Sequence, residues 1–465
     1  MGTIASLMDI AQQALRANQE ALNVTGNNVA NQNTAGYTRQ VVSFQTVDAV
    51  TLSGSTYGSG VTASATSQRD RVLEQQVQQQ IQSQAQSGAL ESALQQIENV
   101  FGLSSTTSSA SSTVLGTAID SFFSSLSTLA SNPSDTATRQ SVLTAANTLA
   151  AAFNSSSNQL TQVSTSLNQQ VIGDVSQVNS LTKTIASLNT QITALSPNAD
   201  AGALEDQRQQ AIAQLSKLVG LDQISTENNG ITLTTSNGAV LVSGNQSFAL
   251  STTPVGGTTH ILAGGQDVTS NLTGGDLGGV LQARDQQLPG YQSALDNLAF
   301  AVGTQVNQQN ALGVDGNGSP GAALFSLPAT SSDAAALIQV ATADPNAVAA
   351  AATGQGSAGN TNASALANLA SANIVNGQTA SGFLASFFGR IGSDTAAAIT
   401  NNSAQQATLT QLTTQRDSLS GVSLDQEASN LTQYQRAYQA ASQVFNIANS
   451  IMASAINLGV QTTVT

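Results

Sequence analysis

"IASLMDIAQQALRANQEALNVTGNNVANQNTAGYTRQ" occupies residues 4–40, and its reading decides the fold. Met8, Leu15, Leu22 and Val29 recur every seven residues, with Leu7, Ala14 and Ala21 beside them. A narrow apolar stripe sustained over several heptads is a coiled-coil seam, not the broad face of a globular core. The stripe then ends in an unusual way. Four asparagines fall within residues 27–33, followed by Thr34, Gly36, Tyr37 and Arg39. Helices ordinarily stop on one Gly or Asn. A generous C-cap is one reading of so long a stop, and a rigid corner is the other. Asn side chains tolerate the left-handed region and bond nearby backbone. Gly36 permits a positive φ, and Tyr37 can bury its ring past the turn and hold the exit angle. The corner candidates are therefore Asn31, Asn33, Thr34, Gly36 and Tyr37.

The far end of the chain repeats the pattern. Leu424, Leu431, Tyr438, Phe445 and Met452 are seven apart, and Ala441, Ala448 and Ala455 form an adjoining row. Each helix would be about 40–50 Å long at ~1.5 Å per residue. Neither stripe is wide enough to hold a helix alone. The simplest partner for each is the other, which brings the two chain ends together. The nine stripe residues Met8, Leu15, Leu22, Val29, Leu424, Leu431, Tyr438, Phe445 and Met452 are the candidate assembly interface.

Composition narrows the function classes. Only 8% of the 465 residues are charged, against about 25% in ordinary globular chains, and Ser, Thr, Asn, Gln and Ala fill the difference. The net charge is −14 and only two lysines occur, Lys183 and Lys217. Binding to a phosphate backbone needs clustered cations, so nucleic acid is not an expected partner. No apolar run is long enough to span a membrane, and no basic start leads into an apolar segment, so no cleaved signal peptide is expected. The absence of cysteine excludes disulfides and thiolate metal sites.

Between the ends, residues 41–68 read as extended or loop, and a Gln-rich helix is expected from Asp70 to Phe101, with Gly88 inside it. "STTSSASS" (105–112) reads as a linker. Helices over 113–153 break at "SNPSD", where Asn132-Pro133 starts a turn and Ser134 can cap the next helix. A long helical pattern from 156 to 218 is interrupted at Pro197. "GITLTTSNGAVLVSG" (230–244) alternates apolar and polar residues around Asn237-Gly238, a strong hairpin signal. Short strands follow to about 273, then helix again, and a last long helix over 383–418. The order of helices, β insertion and helices, with paired ends, makes a rod. The expected class is mainly α with a β insertion (α+β): elongated, with paired terminal coiled-coil helices and a helical rod body bearing β-hairpins. The expected divisions are 1–40 (N-terminal coiled-coil helix and corner), 41–219 (helical body), 220–275 (β-hairpin region), 276–419 (helical body) and 420–465 (C-terminal coiled-coil helix).

No motif carries chemistry. His260 is the one imidazole and reads as an ordinary strand residue, with too few neighbouring ligands for a metal. "GNGSPG" (316–321) matches a phosphate-loop pattern but lacks a preceding strand, and Pro320 breaks the needed geometry. "DGNGS" (315–319) has Ser326 where a calcium loop needs a bidentate Glu. Glu205, Asp206 and Arg208 read as a solvated face with local ion pairs. No catalytic residue, metal or cofactor is expected.

"ANQNTAGYTRQ" resembles the signature found just after the first helix of the bacterial flagellar axial proteins: rod, hook and hook-associated. "SGVSLDQEASNLTQYQRAYQAASQVFNIANSIM" (420–452) resembles the matching C-terminal signature. Tyr-Thr-Arg-Gln after the glycine, the Ser-Gly-Val-Ser-Leu-Asp opening, and the segments at 122–143, 180–192 and 203–216 are similar to the hook-associated branch. The resemblance implies a structural subunit at the hook–filament junction that assembles through its terminal helices. It implies as partners other copies of the chain in a tubular array, the hook protein, the next junction protein on the filament side, and an export chaperone at the C-terminal helix. Extracellular placement by type III export is implied as well. Relatives often carry a large outer domain in the second half. Only about sixty weakly patterned residues lie between Leu324 and Phe383, so that domain is expected to be small or missing. Another axial protein (hook or flagellin-like) is the close alternative. A secreted coiled-coil adhesin or effector, or an enzyme with an unrecognised site, would be a different class.

Overall fold

A computed structural model describes residues 2–34, 36–47, 50–52, 55–57, 60–103, 113–195, 201–225, 230–356 and 358–461. The linker at 105–112 and the break at Pro197 lie outside these. The molecule is elongated. Its accessible surface is 22847 Å², against about 16,000 Å² for a compact chain of this mass.

The chain opens with α1 (Gly2–Ala30) and closes with α11 (Leu424–Gln461), and the two pack along each other. Asn28, near the end of α1, meets Glu427, near the start of α11, so the pair is antiparallel. Between them a ribbon of β1 (Gln40–Thr46) and β4 (Val61–Ser67), tipped by β2 (Val50–Leu52) and β3 (Ser55–Tyr57), lies back against α1. Phe44 on β1 sits 6.0 Å from Tyr434 of α11. Thus the extended stretch after the corner packs on the terminal pair.

The body is built on α2 (Arg71–Val100), α3 (Val114–Ser131), α4 (Thr136–Leu195) and α5 (Gly202–Leu218). Asp70 caps α2 by accepting from the backbone N–H groups of Val72 and Leu73. Asp135 caps α4, accepting from Ala137 N–H and the Thr138 hydroxyl. This corrects the expectation at Ser134: the carboxylate one residue later has the reach and the charge to satisfy the orphan donors. α4 has 60 residues without interruption, about 90 Å at ~1.5 Å per residue. Leu149, Phe153, Leu160, Leu167, Val171, Val178, Ile185 and Ile192 hold its buried stripe, all at 1% exposure or less.

The β unit docks on α4 through asparagines. It comprises β5 (Leu221–Ser225), β6 (Ile231–Thr235), β7 (Val240–Ser243) and β8 (Gln246–Ser247) in one sheet, and β9 (Leu250–Val255), β10 (Thr258–Ala263) and β11 (Gln266–Asp267) in another. Asn168 accepts from Thr259 N–H and donates to Gly257 O. Asn179 both accepts from and donates to the Leu250 backbone. Asn189 donates to Ile231 O and Gly244 O. Successive asparagines three helical turns apart share a face, and each satisfies strand backbone that burial removes from water. The expected hairpin stands at β6–β7, with Gly238 at φ +85°.

After the sheets, α6 (Gly275–Gln282) passes through a π turn at Ala283–Gln287 into α7 (Leu288–Ala311). Pro289 has no N–H to offer the preceding turn, which accounts for the wider turn there. The segment from β12 (Gly313–Val314) onward holds β13 (Phe325–Ser326), α8 (Ala334–Leu337), β14 (Gln339–Val340), β15 (Ala351–Ala352) and α9 (Thr361–Asn368). Phe325, Ile338, Val348, Leu366 and Val375 join the same hydrophobic core as α3 and α4. The weakly patterned residues between Leu324 and Phe383 are thus part of the body wall.

α10 (Ala380–Ser420) runs antiparallel to α2. Phe387 and Phe388 pack on Phe101 at one end. Farther along, Gln80 donates to Gln405, Gln84 donates to Asn402, and Asn402 donates to Glu91.

One buried carboxyl opposes this packing. Asp174 on α4 is 7% exposed. Burial, and secondarily the charge of Asp276, push its carboxyl up to about 6. Between pH 4 and 6 the folded chain keeps a proton that the unfolded chain has released, so stability falls as pH rises through that window. Asp174→Asn removes this loss. The variant is expected to be about 1–3 kcal/mol more stable at pH 7, with the gain vanishing near pH 4. Melting curves at the two pH values check it, and a gain of equal size at both would contradict it.

Candidate functional site

The corner lies where α1, β1, α5, α10 and α11 meet, and its geometry begins with the backbone. Asn31 N–H and its side-chain amide both donate to Asn27 O. Thr34 N–H donates to Asn31 O, and Tyr37 N–H donates to Thr34 O. Each residue thereby closes the turn begun by the one before it. Asn33 and Thr34 are exposed. Gly36 takes φ +80°, a region that costs an L-residue about 1–2 kcal/mol. A Cβ at Gly36 would meet nothing within 4 Å, so the cost of substitution there is conformational. Gly36→Val is expected to lower the stability of the corner by at least that amount while the body melts normally. Hydrogen exchange at residues 27–40 reads the change, and unaltered exchange would remove the glycine from the corner's construction.

The centre of the corner is Asn28, which is 1% exposed. Its side-chain oxygen accepts from the Tyr37 hydroxyl at 2.9 Å and from Gln40 N–H at 3.0 Å. Its amide donates to Gln40 O at 2.8 Å and to Glu427 Oε2 at 3.2 Å. Glu427, also 1% exposed, takes Arg39 Nε on its other oxygen at 2.7 Å. Arg39 N–H donates to Ser420 O, and Gln68 N–H donates to Arg39 O. The helix that ends at the corner, the ribbon that leaves it and the helix that begins beside it are thus joined through two side chains. Burial, and the charges of Asp206 and Glu427, push the Tyr37 phenol up to about 12, so it remains a donor across the physiological range.

A second layer ties the corner to the body. Asp206 on α5 accepts from Thr38 N–H and pairs with Arg69, and Arg69 also donates to the Thr38 hydroxyl. Burial raises the Asp206 carboxyl, and the Arg69 charge offsets part of that. Arg208 is buried and donates to Asn189. The sequence reading of Glu205, Asp206 and Arg208 as a solvated face is therefore corrected. Helix α5 turns its charged side inward because Arg69, Thr38 and Asn189 supply partners there.

The stripe residues take two kinds of place. The buried positions of α1 are Ala11, Ala17, Ala21, Val24, Thr25 and Asn28, and the most buried of α11 are Glu427 and Ala448. Small side chains let the two backbones approach, and the larger ones flank them. Met8, Leu15 and Leu22 are half-buried, as are Leu431, Phe445 and Met452. Val29, Leu424 and Tyr438 are exposed. Leu7, Val444, Ile447, Ile451 and Ile456 add further exposed apolar surface on the same pair.

Sequence reasoning missed Asn28, Arg39, Asp206 and Glu427. A signal was present for Asn28. It continues the seven-residue row Ala14–Ala21, and a lone polar residue in a seam row specifies register. Of the weighed chemical motifs, His260 lies on β10 with Nδ1 2.6 Å from Asp267 Oδ2. The loop at 315–319 is closed by Asp315, which accepts from Asn317 and Ser319 N–H.

The family model described as the helical domain of flagellar hook-associated protein FlgK matches residues 94–325. Two others, a flagella basal body rod protein and the C-terminal region of flagellar basal body rod FlgEFG proteins, match residues 8–38 and 414–458. The flagellar hook-associated protein 1 of Bacillus subtilis (strain 168) is 30% identical over 499 residues, covering 97% of each chain. That of Escherichia coli (strain K12) is 28% identical, covering 98% of this chain and 100% of its own. Among solved structures, the flagellar hook junction protein FlgK from Burkholderia pseudomallei shares the fold. Its TM-score is 0.66 at 22% identity, over 75% of this chain and 100% of that one.

Proposed function

The chain belongs to the flagellar hook-associated protein 1 family, and from that membership we propose that its paired terminal helices are the part that assembles. As a member of the family it is a structural protein of the bacterial flagellum that joins hook to filament. The proposed role involves no reaction and no cofactor. The observation that carries the assembly reading is the apolar surface left on the terminal pair. Val29, Leu424, Val444, Ile447, Ile451 and Ile456 are all at least 40% exposed, while the body keeps its large apolar side chains mostly inside. Exposed apolar side chains gathered on one element pair, with Val444, Ile447 and Ile451 on one face of α11, mark an interaction surface. The corner then fixes the angle between the pair, facing the tube axis, and the body outside it. In the divisions expected from sequence, 1–40 and 420–465 form the inner part and 41–419 the outer part.

The partners under this reading are other copies of the chain, the hook protein on one side and the next junction protein on the other. An export chaperone would hold the helix of residues 424–461 before assembly, and the chain would leave the cell by the type III route without cleavage. Neither nucleic acid nor membrane insertion has a part in it. Among the described residues no helix is long and apolar enough to cross a membrane.

The double change Leu431→Asp with Phe445→Asp tests the reading. Full burial of an apolar side chain is worth about 1.5–3 kcal/mol, and both residues, half-buried in the single chain, lie on the terminal pair. Attachment to the hook is expected to be abolished, with filament subunits lost to the medium, while the body's thermal transition is almost unchanged. The variant itself must be recovered outside the cell, which separates failed attachment from failed export. A large fall in the body's melting temperature would make this stripe ordinary core and end the assembly reading.

A further inference from the structure

Beside the corner, where the start of α2 faces α5 and strands β5 and β6, lies a cavity of about 130 Å³. Arg69, Arg71 and Arg208 all line it, a quarter of the twelve basic residues in a chain of net charge −14. Burial, and the charges of Arg69 and Arg71, hold the Arg208 guanidinium down at about 10, with Glu205 pulling the other way. Arg69 is already paired with Asp206 and lies 4.0 Å from Glu205, so Arg71 carries the positive charge most open to an incoming group.

The polar lining points the same way. Gln78 is 5% exposed, lines the cavity, and its Nε2 has no partner; Arg69 Nε is likewise buried without one. Unmatched buried donors are costly, and folded chains rarely keep them. Gln223 Oε1 is the third unmatched atom on the wall. Its amide can be turned to present N–H instead, since the two ends of an amide are interchangeable in shape. The wall then offers donors from three residues together with the cationic Arg71, which is exposed at the rim. Glu74 and Glu205 share the lining, so the cavity suits one compact anion and not a polyanion.

We propose that this cavity is a carboxylate-binding site which takes an acidic side chain from a neighbouring copy of the chain. The proposal rests on the assembly reading for the source of the carboxylate, and on the cavity alone for its chemistry. Charge complementarity argues for a second copy. Twenty-six acidic residues against twelve basic ones make side-by-side packing of copies repulsive unless basic acceptors are placed between them, and this cluster is such an acceptor next to the corner.

The test uses the full chain, its Gln78→Met form and its Arg71→Gln form. With acetate as probe, the body of the parent is expected to melt at a temperature that rises with acetate concentration. Chloride at equal ionic strength should not reproduce the rise, and both variants should lose it. A rise that chloride matches, or that survives in both variants, overturns the site. So does a high-resolution structure in acetate with only water on Gln78 Nε2. The source is tested separately, by incorporation of the Arg71→Gln chain at the hook tip. A reduction of several-fold supports the neighbouring copy, and normal incorporation with acetate binding lost overturns it. Failure of the Leu431→Asp, Phe445→Asp test would refute the assembly reading without touching the acetate result, so the two can fail independently.

Discussion

Glu427→Ala is expected to release the terminal helix pair from its fixed angle while leaving the body folded. The change removes the partner of Arg39 Nε and of the Asn28 amide in one step. Breaking a buried ion pair by deleting one member costs about 3–5 kcal/mol, because the other charge is left uncompensated. That cost falls on the corner, where few other contacts can absorb it. Amide exchange in α1 and α11 should rise by orders of magnitude, and the main thermal transition should barely move. Arg39→Met combined with Glu427→Met should recover much of the protection, since apolar replacement of both partners removes the stranded charge. If the main transition fell together with the exchange protection, the corner would be part of the body's cooperative core.

The opposite pattern is expected for Gly279→Val. Helix α6 crosses α2 at Gly278 and Gly279, and a Cβ on Gly279 would lie 2.2 Å from Gln86 O and 2.9 Å from Leu90 N. These are backbone atoms in the middle of a helix and cannot step aside. The two helices must separate, which opens the core around Leu277, Val280 and Leu94, all at 2% exposure or less. Overpacking of this kind costs 1–3 kcal/mol where side chains can yield, and more than about 4 kcal/mol is expected where backbone is the obstacle. The body should melt many degrees lower or fail to accumulate. A variant with the parent's melting temperature would show that α2 and α6 do not cross as closely as described.

The two variants separate what could be read in the sequence from what could not. The long helices were legible because a periodic stripe needs no knowledge of its partner: Leu160, Val171, Val178 and Ile185 announce α4 unaided. The hairpin at Asn237-Gly238 was legible because its turn demands a positive φ. The fold class was legible for the same reasons, from local signals repeated over long spans. Gly279 was not, since nothing near it in sequence names Gln86 as its neighbour. Asp206 was misread because the partners that draw it inward, Thr38 and Arg69, are more than a hundred residues away. At the corner, Gly36 and Tyr37 could be picked out by backbone chemistry alone. Glu427 could not, because a glutamate in the first turn of a helix is ordinarily explained by the helix itself.

Beyond the ribbon, which lies on the terminal pair, two stretches of chain lead to the body, residues 68–70 into α2 and 420–423 out of α10, and Arg39 bridges them: its N–H donates to Ser420 O and its carbonyl accepts from Gln68 N–H. A module hung on one connecting strand can swivel about it, because single bonds turn freely under load. A module held by two strands side by side cannot twist without stretching one and slackening the other. The molecule is therefore stiff against torsion between its terminal pair and its body, whatever the body's size. For a structural protein of the flagellum this is a mechanical property: torque applied to the terminal pair reaches the body through both strands at once, and a cut in either would turn a rigid coupling into a hinge.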